Sequence, residues 1–178
     1  MGSSVTSQLR AVLFDRDGTL VVDVPYNSDP GMVRAMPGAK SVLDSLRARG
    51  LAVGVISNQS GVARGILTEA DVAGVNARVE ELLGPFDVWE VCFHGPTDGC
   101  PCRKPAPGMV HSACRRLGIH PSEAGLVGDI GSDVGAAEAA GATGVLVPTP
   151  VTRSEEITAA KLVARDLAGA VDLLLGGA

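Results

Sequence analysis

The chain has 178 residues, of which 46% are hydrophobic and 20% charged, with a net charge of −5. That is enough for one well-packed core, and the balance excludes disorder. The acidic charge excludes wholesale nucleic-acid binding, which needs a basic face, and no apolar run reaches the length of a membrane span.

Beyond a polar leader over residues 1–8, apolar runs alternate with amphipathic segments. Residues 9–14, LRAVLF, read as a buried strand. Residues 38–50, GAKSVLDSLRARG, read as a helix ended by Gly50, with Arg47 and Arg49 suited to its C-terminal dipole. LAVGVIS, residues 51–57, is a second strand; residues 68–84 form a helix capped by Thr68 and closed by Gly84. A third strand covers residues 86–93, and a helix covers 107–118 with Pro107 in its first turn. Strand four spans residues 124–129, a short helix 132–141, and strand five 143–148. AKLVA, residues 160–164, is a candidate sixth strand, and Asp166 caps a closing helix. The alternation predicts an α/β fold: a doubly wound, Rossmann-like parallel sheet in three α/β/α layers, forming a single domain over residues 1–178. Residues 21–37, between the first strand and its helix, show no helical pattern and are too short for a large cap domain.

In doubly wound sheets, chemistry gathers beyond the carboxyl ends of the strands. Strand one runs into DRDGT, which brings Asp15 and Asp17. Two carboxylates at this spacing can share a magnesium site, or divide the roles of nucleophile and acid/base. Strand two ends in SNQSG, residues 57–61, whose hydroxyl, amide and backbone N–H groups suit a phosphate cradle. Strand three leads through CFHGPTDGCPC, residues 92–102, to Arg103 and Lys104; strand four ends in GDIGSD, with Asp129 and Asp133. An acidic magnesium site beside a fixed cation is what phosphoryl transfer requires.

FDRDGTL, SNQSG, RKP and GDIGSD resemble, in order, the four motifs of the haloacid dehalogenase-like phosphatases over roughly residues 9–147. SNQSGVARGILTEAD, CRKPAPGM and the Cys-x-His…Cys-x-Cys insert are similar to the histidinol-phosphatase-like subgroup, and within it to the heptose 1,7-bisphosphate 7-phosphatases. The resemblance implies Asp15 as the nucleophile forming an aspartyl-phosphate and Asp17 as general acid, then base. It implies Ser57 and Lys104 as holders of the phosphoryl oxygens, and Mg²⁺ held by Asp15, the Asp17 backbone carbonyl and Asp129. Substrate contacts would come from Asp23, Tyr26, Asn58, Gln59, Ser60 and Arg103. Arg64 either meets a substrate phosphate or anchors its loop. The implied reaction removes the 7-phosphate of a heptose bisphosphate, with histidinol phosphate as the alternative substrate. The family usually has a basic residue after the fourth-motif aspartate, whereas this chain has Ile130. Asp133 is expected to orient Lys104 or a metal-bound water.

Cys92, His94, Cys100 and Cys102 supply a Cys₃His set, the form of a structural zinc site with no position open to water. The loop between them has no apolar content to fold on, so Zn²⁺ is expected to order it and thereby fix Lys104. Cys114 reads as a packed core thiol, and His111 and His120 as surface or cap residues. With no secretory pattern at the amino terminus, four cysteines point to a reducing cytoplasm. The expected partner is a small phosphorylated sugar, with no nucleic acid or membrane, for a monomeric enzyme. A signalling receiver domain is the rival reading. It would place its phosphoacceptor Asp after the third strand, where this chain has cysteine, histidine and lysine.

Overall fold

The computed structural model describes residues 8–177, so the predicted leader lies outside the described residues except for Gln8. Five strands are found there: β1 (Ala11–Phe14), β2 (Ala52–Asn58), β3 (Val88–Cys92), β4 (Ala124–Gly128) and β5 (Thr143–Leu146). They form one parallel sheet in the order β3-β2-β1-β4-β5. The order reverses on either side of β1, so the crevice of a doubly wound sheet opens above the carboxyl end of β1.

All four residues of β1 are fully buried, and Val12, Leu13 and Phe14 alternate between two cores as strand geometry requires. Val12 and Phe14 face a core with Leu43 and Leu46 of α1 (Ala39–Ala48), Val75 and Val79 of α2 (Glu69–Leu83), and Leu167 and Val171 of α6 (Leu167–Leu174). Leu13 faces the other, with Met109 and Val110 of α3 (Gly108–Leu117) and Ala136 and Ala137 of α4 (Gly131–Ala140). Helices therefore cover both faces of the sheet, and no large cap intervenes between β1 and α1, where a single turn of 3₁₀ helix spans Pro30–Met32.

The predicted caps form. Thr68 Oγ1 accepts from the Asp71 N–H at 3.1 Å while Asp71 Oδ2 accepts from the Thr68 N–H at 2.8 Å. Asp166 Oδ1 accepts from Gly169 N–H, opening α6. Arg47 does more than complement its own helix end: it donates to the Leu83 and Pro85 carbonyls, tying α1 to the end of α2.

Two features differ from the sequence reading. The candidate sixth strand is reduced to one bridge, Val163 beside Leu146. Pro148 and Pro150 follow β5 and bring no N–H to a ladder, so the pairing does not extend. A short helix, α5 (Ser154–Ala159), occupies a stretch for which no element was predicted. Six residues are too few to register a helical period. Among the described residues no helix is long and apolar enough to cross a membrane.

Candidate active site

Asp15 is the first residue past β1, and its N–H donates to the Val127 carbonyl at 2.9 Å, so the sheet ladder fixes its backbone. Its Oδ1 accepts from Lys104 Nζ at 2.7 Å. The same ammonium lies 2.6 Å from Asp133 Oδ1 and 2.9 Å from the Ile56 carbonyl, giving it three oxygen neighbours. Burial disfavours the charged amine, but Asp133 and Asp15 outweigh it and hold Lys104 protonated above its ordinary range.

Lys104 reaches this point because its backbone is clamped. Asn58, ending β2, donates to the Lys104 carbonyl at 3.2 Å and accepts from its N–H at 3.1 Å. Asp129 follows β4 and packs against the β1 loop at Gly18, whose φ of 82° only glycine adopts easily. A Cβ at Gly18 would stand within van der Waals overlap of the Asp129 carboxylate, so the close approach needs glycine twice over. Thr19 Oγ1 donates to Asp129 Oδ1 at 3.3 Å, and Thr152 Oγ1 to the Asp129 carbonyl at 2.7 Å.

Oxygen atoms of Asp15, Asp129 and Asp133 all lie within 4.8 Å of one another, and all three residues are buried. One lysine among three carboxylates leaves a negative deficit. Burial first, then the neighbouring Asp133, raise the Asp129 carboxyl to about 6. Burial likewise drives Asp15 well above the usual carboxylate range against the opposing pull of Lys104, with Asp133 and Asp129 adding to the rise. A compact all-oxygen set short of positive charge fits a hard divalent cation such as Mg²⁺.

Asp17 lies apart from that trio. Its carboxylate is gripped by Arg16, with Nε 3.1 Å from both oxygens and Nη2 2.9 Å from Oδ2. Gln59 Nε2 donates to Asp17 Oδ2 at 2.8 Å and to Ser57 Oγ at 2.7 Å. The identity of Asp17's partner was missed from sequence. The only signal was an arginine placed between two aspartates, which reads equally as a solvated loop residue.

A cleft of about 350 Å³ opens above these groups. Of the sequence candidates, Asp15, Asp17, Asp23, Tyr26, Asn58, Gln59, Ser60, Lys104 and Asp129 line it. Burial, then the charge of Asp17, raise the Asp23 carboxyl, with Arg16 opposing. Ser57, Arg64 and Arg103 are not in the lining. Ser57 is buried behind Gln59, Arg64 stacks over the Tyr26 ring at 5.9 Å, and Arg103 donates to the His94 carbonyl at 3.3 Å. Ile130 and Val151, neither predicted as a contact, form an apolar part of the wall.

The Cys/His cluster stands beside β3. Cys92 ends the strand, and the Sγ atoms of Cys92, Cys100 and Cys102 lie 3.1 to 3.8 Å apart. His94 Nδ1 is 3.5 Å from Cys92 Sγ and 3.2 Å from Cys102 Sγ. Metal–sulfur bonds of ~2.3 Å put tetrahedral sulfurs roughly 3.8 Å apart; one sulfur pair matches that spacing and two lie inside it, so the cluster is compact enough for a closed zinc site. Burial opposes ionisation of Cys100, but the Arg103 N–H and the neighbouring thiols prevail and bring it down to about 7. Away from this cluster, Cys114 is buried in the core and His120 accepts from Ser122 N–H as a cap.

A family model described as HAD-hydrolase-like matches residues 101–170. The D-glycero-beta-D-manno-heptose-1,7-bisphosphate 7-phosphatase of Pseudomonas aeruginosa is 34% identical over 172 residues, 92% of this chain and 97% of its own. The protein of the same name from Escherichia coli is 37% identical over 160 residues, 82% of this chain and 84% of its own. The crystal structure of D,D-heptose 1,7-bisphosphate phosphatase from B. bronchiseptica, complexed with magnesium and phosphate, superposes with a TM-score of 0.83 at 30% identity. That match covers 96% of this chain and all of the other.

Proposed function

This chain belongs to the haloacid dehalogenase-like phosphatases, in the family of the heptose-1,7-bisphosphate 7-phosphatases, and on that premise we propose that it removes the 7-phosphate of D-glycero-D-manno-heptose 1,7-bisphosphate. The observation that carries the chemistry is the buried Lys104 ammonium, 2.7 Å from Asp15 Oδ1 at the floor of a cleft that Asp17 and Asp129 also line.

Asp15 attacks phosphorus; the ester P–O bond breaks as the new Asp15–phosphorus bond forms, and Asp17 gives its proton to the departing sugar oxygen. Water then attacks the aspartyl-phosphate, loses a proton to Asp17, and releases inorganic phosphate with the Asp15 carboxylate restored. Lys104, already aimed at Asp15, offsets the charge of the phosphoryl oxygens that arrive there, and Asp133 keeps the ammonium in place. The side chains of Asp15 and Asp129 and the backbone carbonyl of Asp17 would hold Mg²⁺, which when bound supplies further positive charge to the phosphoryl group. Asn58, Gln59 and Ser60 shape the phosphate end of the cleft, with Ser57 behind them accepting from Gln59, and Asp23 and Tyr26 form its outer wall. Arg64 and Arg103 are the cations available to a second phosphate beyond it.

Cys92, His94, Cys100 and Cys102 would hold one structural zinc ion. Cys102 is two residues from Lys104, so the loop anchors the cation that serves the reaction. Stripping zinc with a chelator, or Cys102→Ser, is expected to lower kcat at least about tenfold while the circular dichroism of the sheet persists, because the loop adds only Cys92, Cys100 and Cys102 to one edge of one core. Full activity in protein shown by metal analysis to be zinc-free would disconnect the loop from Lys104.

One observation favours histidinol phosphate as a second reading. Beyond the reacting groups the cleft wall carries the Asp23 carboxylate, suited to an amine, while neither Arg64 nor Arg103 lines it. Mg²⁺-dependent phosphate release from the heptose bisphosphate, histidinol phosphate and common hexose phosphates separates the two. The bisphosphate is expected to lead in kcat/KM by about tenfold or more, the scale of discrimination a few polar contacts provide. A lead for histidinol phosphate would reassign the substrate, and a folded protein that cleaves none of them would remove the phosphatase reading.

A further inference from the structure

Arg16 is a costly residue to place where it is. Its side chain is 3% exposed, and a guanidinium is almost never buried without a dedicated partner. That partner, Asp17, is itself 26% exposed and open enough for water to solvate. Solvation of the carboxylate thus gives no reason for an arginine beneath it.

The contacts supply another reason. Arg16 is fixed at both ends of its guanidinium: Nε and Nη2 hold the Asp17 carboxylate, and Nη1 donates to Asn76 Oδ1 at 2.7 Å. Asn76 belongs to α2, a capped helix, so the guanidinium is braced against a rigid element 60 residues away in sequence. Within the carboxylate the contacts are unequal. Oδ2 receives Arg16 and Gln59, whereas Oδ1 receives Arg16 Nε alone. Oδ1 is therefore the less engaged oxygen and the one with capacity left for a further hydrogen bond.

We propose that Arg16, braced by Asn76, is a positioning residue that holds the Asp17 carboxylate so that Oδ1 exchanges protons with the leaving oxygen and then with water. The inference rests on the phosphatase reading above. Planar, bidentate recognition is what a guanidinium does and an ammonium does not, which explains arginine here in place of lysine. A loop that merely needed neutralising would accept either.

The test compares a sugar phosphate, whose alkoxide needs a proton to leave, with p-nitrophenyl phosphate, whose phenolate leaves without one. Arg16→Gln is expected to lower kcat on the sugar phosphate about 100-fold, at the lower end of what a positioned acid/base contributes. KM should stay within about threefold, because the lost interaction belongs to the transition state. The rapid first-turnover release of p-nitrophenolate, which reports attack by Asp15, should survive, followed by slow steady-state hydrolysis of the aspartyl-phosphate. Asn76→Ala should give the same pattern at about a tenth of the size. The double variant should fall short of the product of the two, as coupled residues do. Arg16→Lys should recover only part of the loss.

Equal losses in the first turnover and the steady state, or a rise in KM at constant kcat, would overturn the inference and leave Arg16 a structural ion pair. Unchanged turnover in the variants would overturn it as well. Should Arg16→Gln fail to fold, Asn76→Ala carries the same comparison by itself. Absence of wild-type turnover on any phosphate ester would overturn the phosphatase reading and this inference together, an outcome distinct from an active wild type with unaffected variants.

Discussion

Asp15→Asn is expected to abolish phosphate release, by at least about 10⁴-fold in kcat, while leaving the metal-free protein as stable as wild type or more so. The loss of activity follows from removal of the nucleophile. The stability follows from the environment of the carboxylate, which burial raises well above its ordinary value despite Lys104, with Asp133 and Asp129 adding repulsion. A carboxyl whose folded value exceeds its unfolded value of about 3.9 stabilises the protein fully only below that pH. The contribution fades as pH rises through the folded value, which for neighbouring Asp129 is about 6. Metal-free wild type should accordingly lose melting temperature from about pH 4 upward through pH 6. Asp15→Asn cannot ionise and should lose less, so the two melting curves should separate at neutral pH and approach each other in acid. Mg²⁺ should raise the wild-type melting temperature more at pH 7.5 than at pH 5. Scanning fluorimetry beside a phosphate-release assay reads both effects. Turnover near the wild-type rate, or a variant that melts lower at neutral pH, would contradict the account.

Lys104→Met should damage both stability and activity. The ammonium is 1% exposed and lies within 3 Å of Asp15, Asp133 and the Ile56 carbonyl. Methionine fills much of the same volume but leaves two buried carboxylates facing each other without a cation. Removing one partner from a buried charge pair costs about 3–5 kcal/mol. For a chain of this length that corresponds to a fall in melting temperature of roughly 10 °C. The loss should shrink in acid, where the orphaned carboxylates protonate, and a pH series of melting curves would reveal a purely steric effect by its flatness. On the chemical side, kcat should drop about 10²–10³-fold, as when one electrostatic stabiliser of a developing charge is lost. Lys104→Arg should not rescue either property, since a planar guanidinium does not reproduce the point-like ammonium that meets Asp15, Asp133 and the Ile56 carbonyl together.

Much of this molecule could be read from local signals. A four-residue apolar run followed at once by Asp15 needs no tertiary information to be called a buried strand with chemistry at its end. The capping box at Thr68 and Asp71 and the tight Cys92/His94 and Cys100/Cys102 pairs are likewise properties of short windows. Short windows also failed in definable ways. Ala160 to Ala164 has strand-like residues, but strand formation depends on what the neighbouring chain offers, and the prolines after β5 offer little. Asn58 reads as a phosphate-loop amide, yet it spends both ends of its side chain on the Lys104 backbone, 46 residues away. For Arg64 short windows leave a phosphate contact and a loop anchor equally open, and for Arg103 they suggest a substrate contact; Arg64 stands over Tyr26 and Arg103 reaches the His94 carbonyl, both outside the cleft lining.

By itself the sequence determined the strand–helix alternation, the acids and the cation that follow the strands, and the four metal-type ligands, because periodicity, capping and ligand spacing act over a few residues. Only the tertiary structure decided the partners. Lys104 meets Asp15 across 89 residues, Thr19 meets Asp129 across 110, and Arg16 turns from solvent to Asn76 across 60. Such contacts depend on sheet order and helix placement, which are settled by burying two cores at once, and no local pattern encodes which distant side chain will stand opposite.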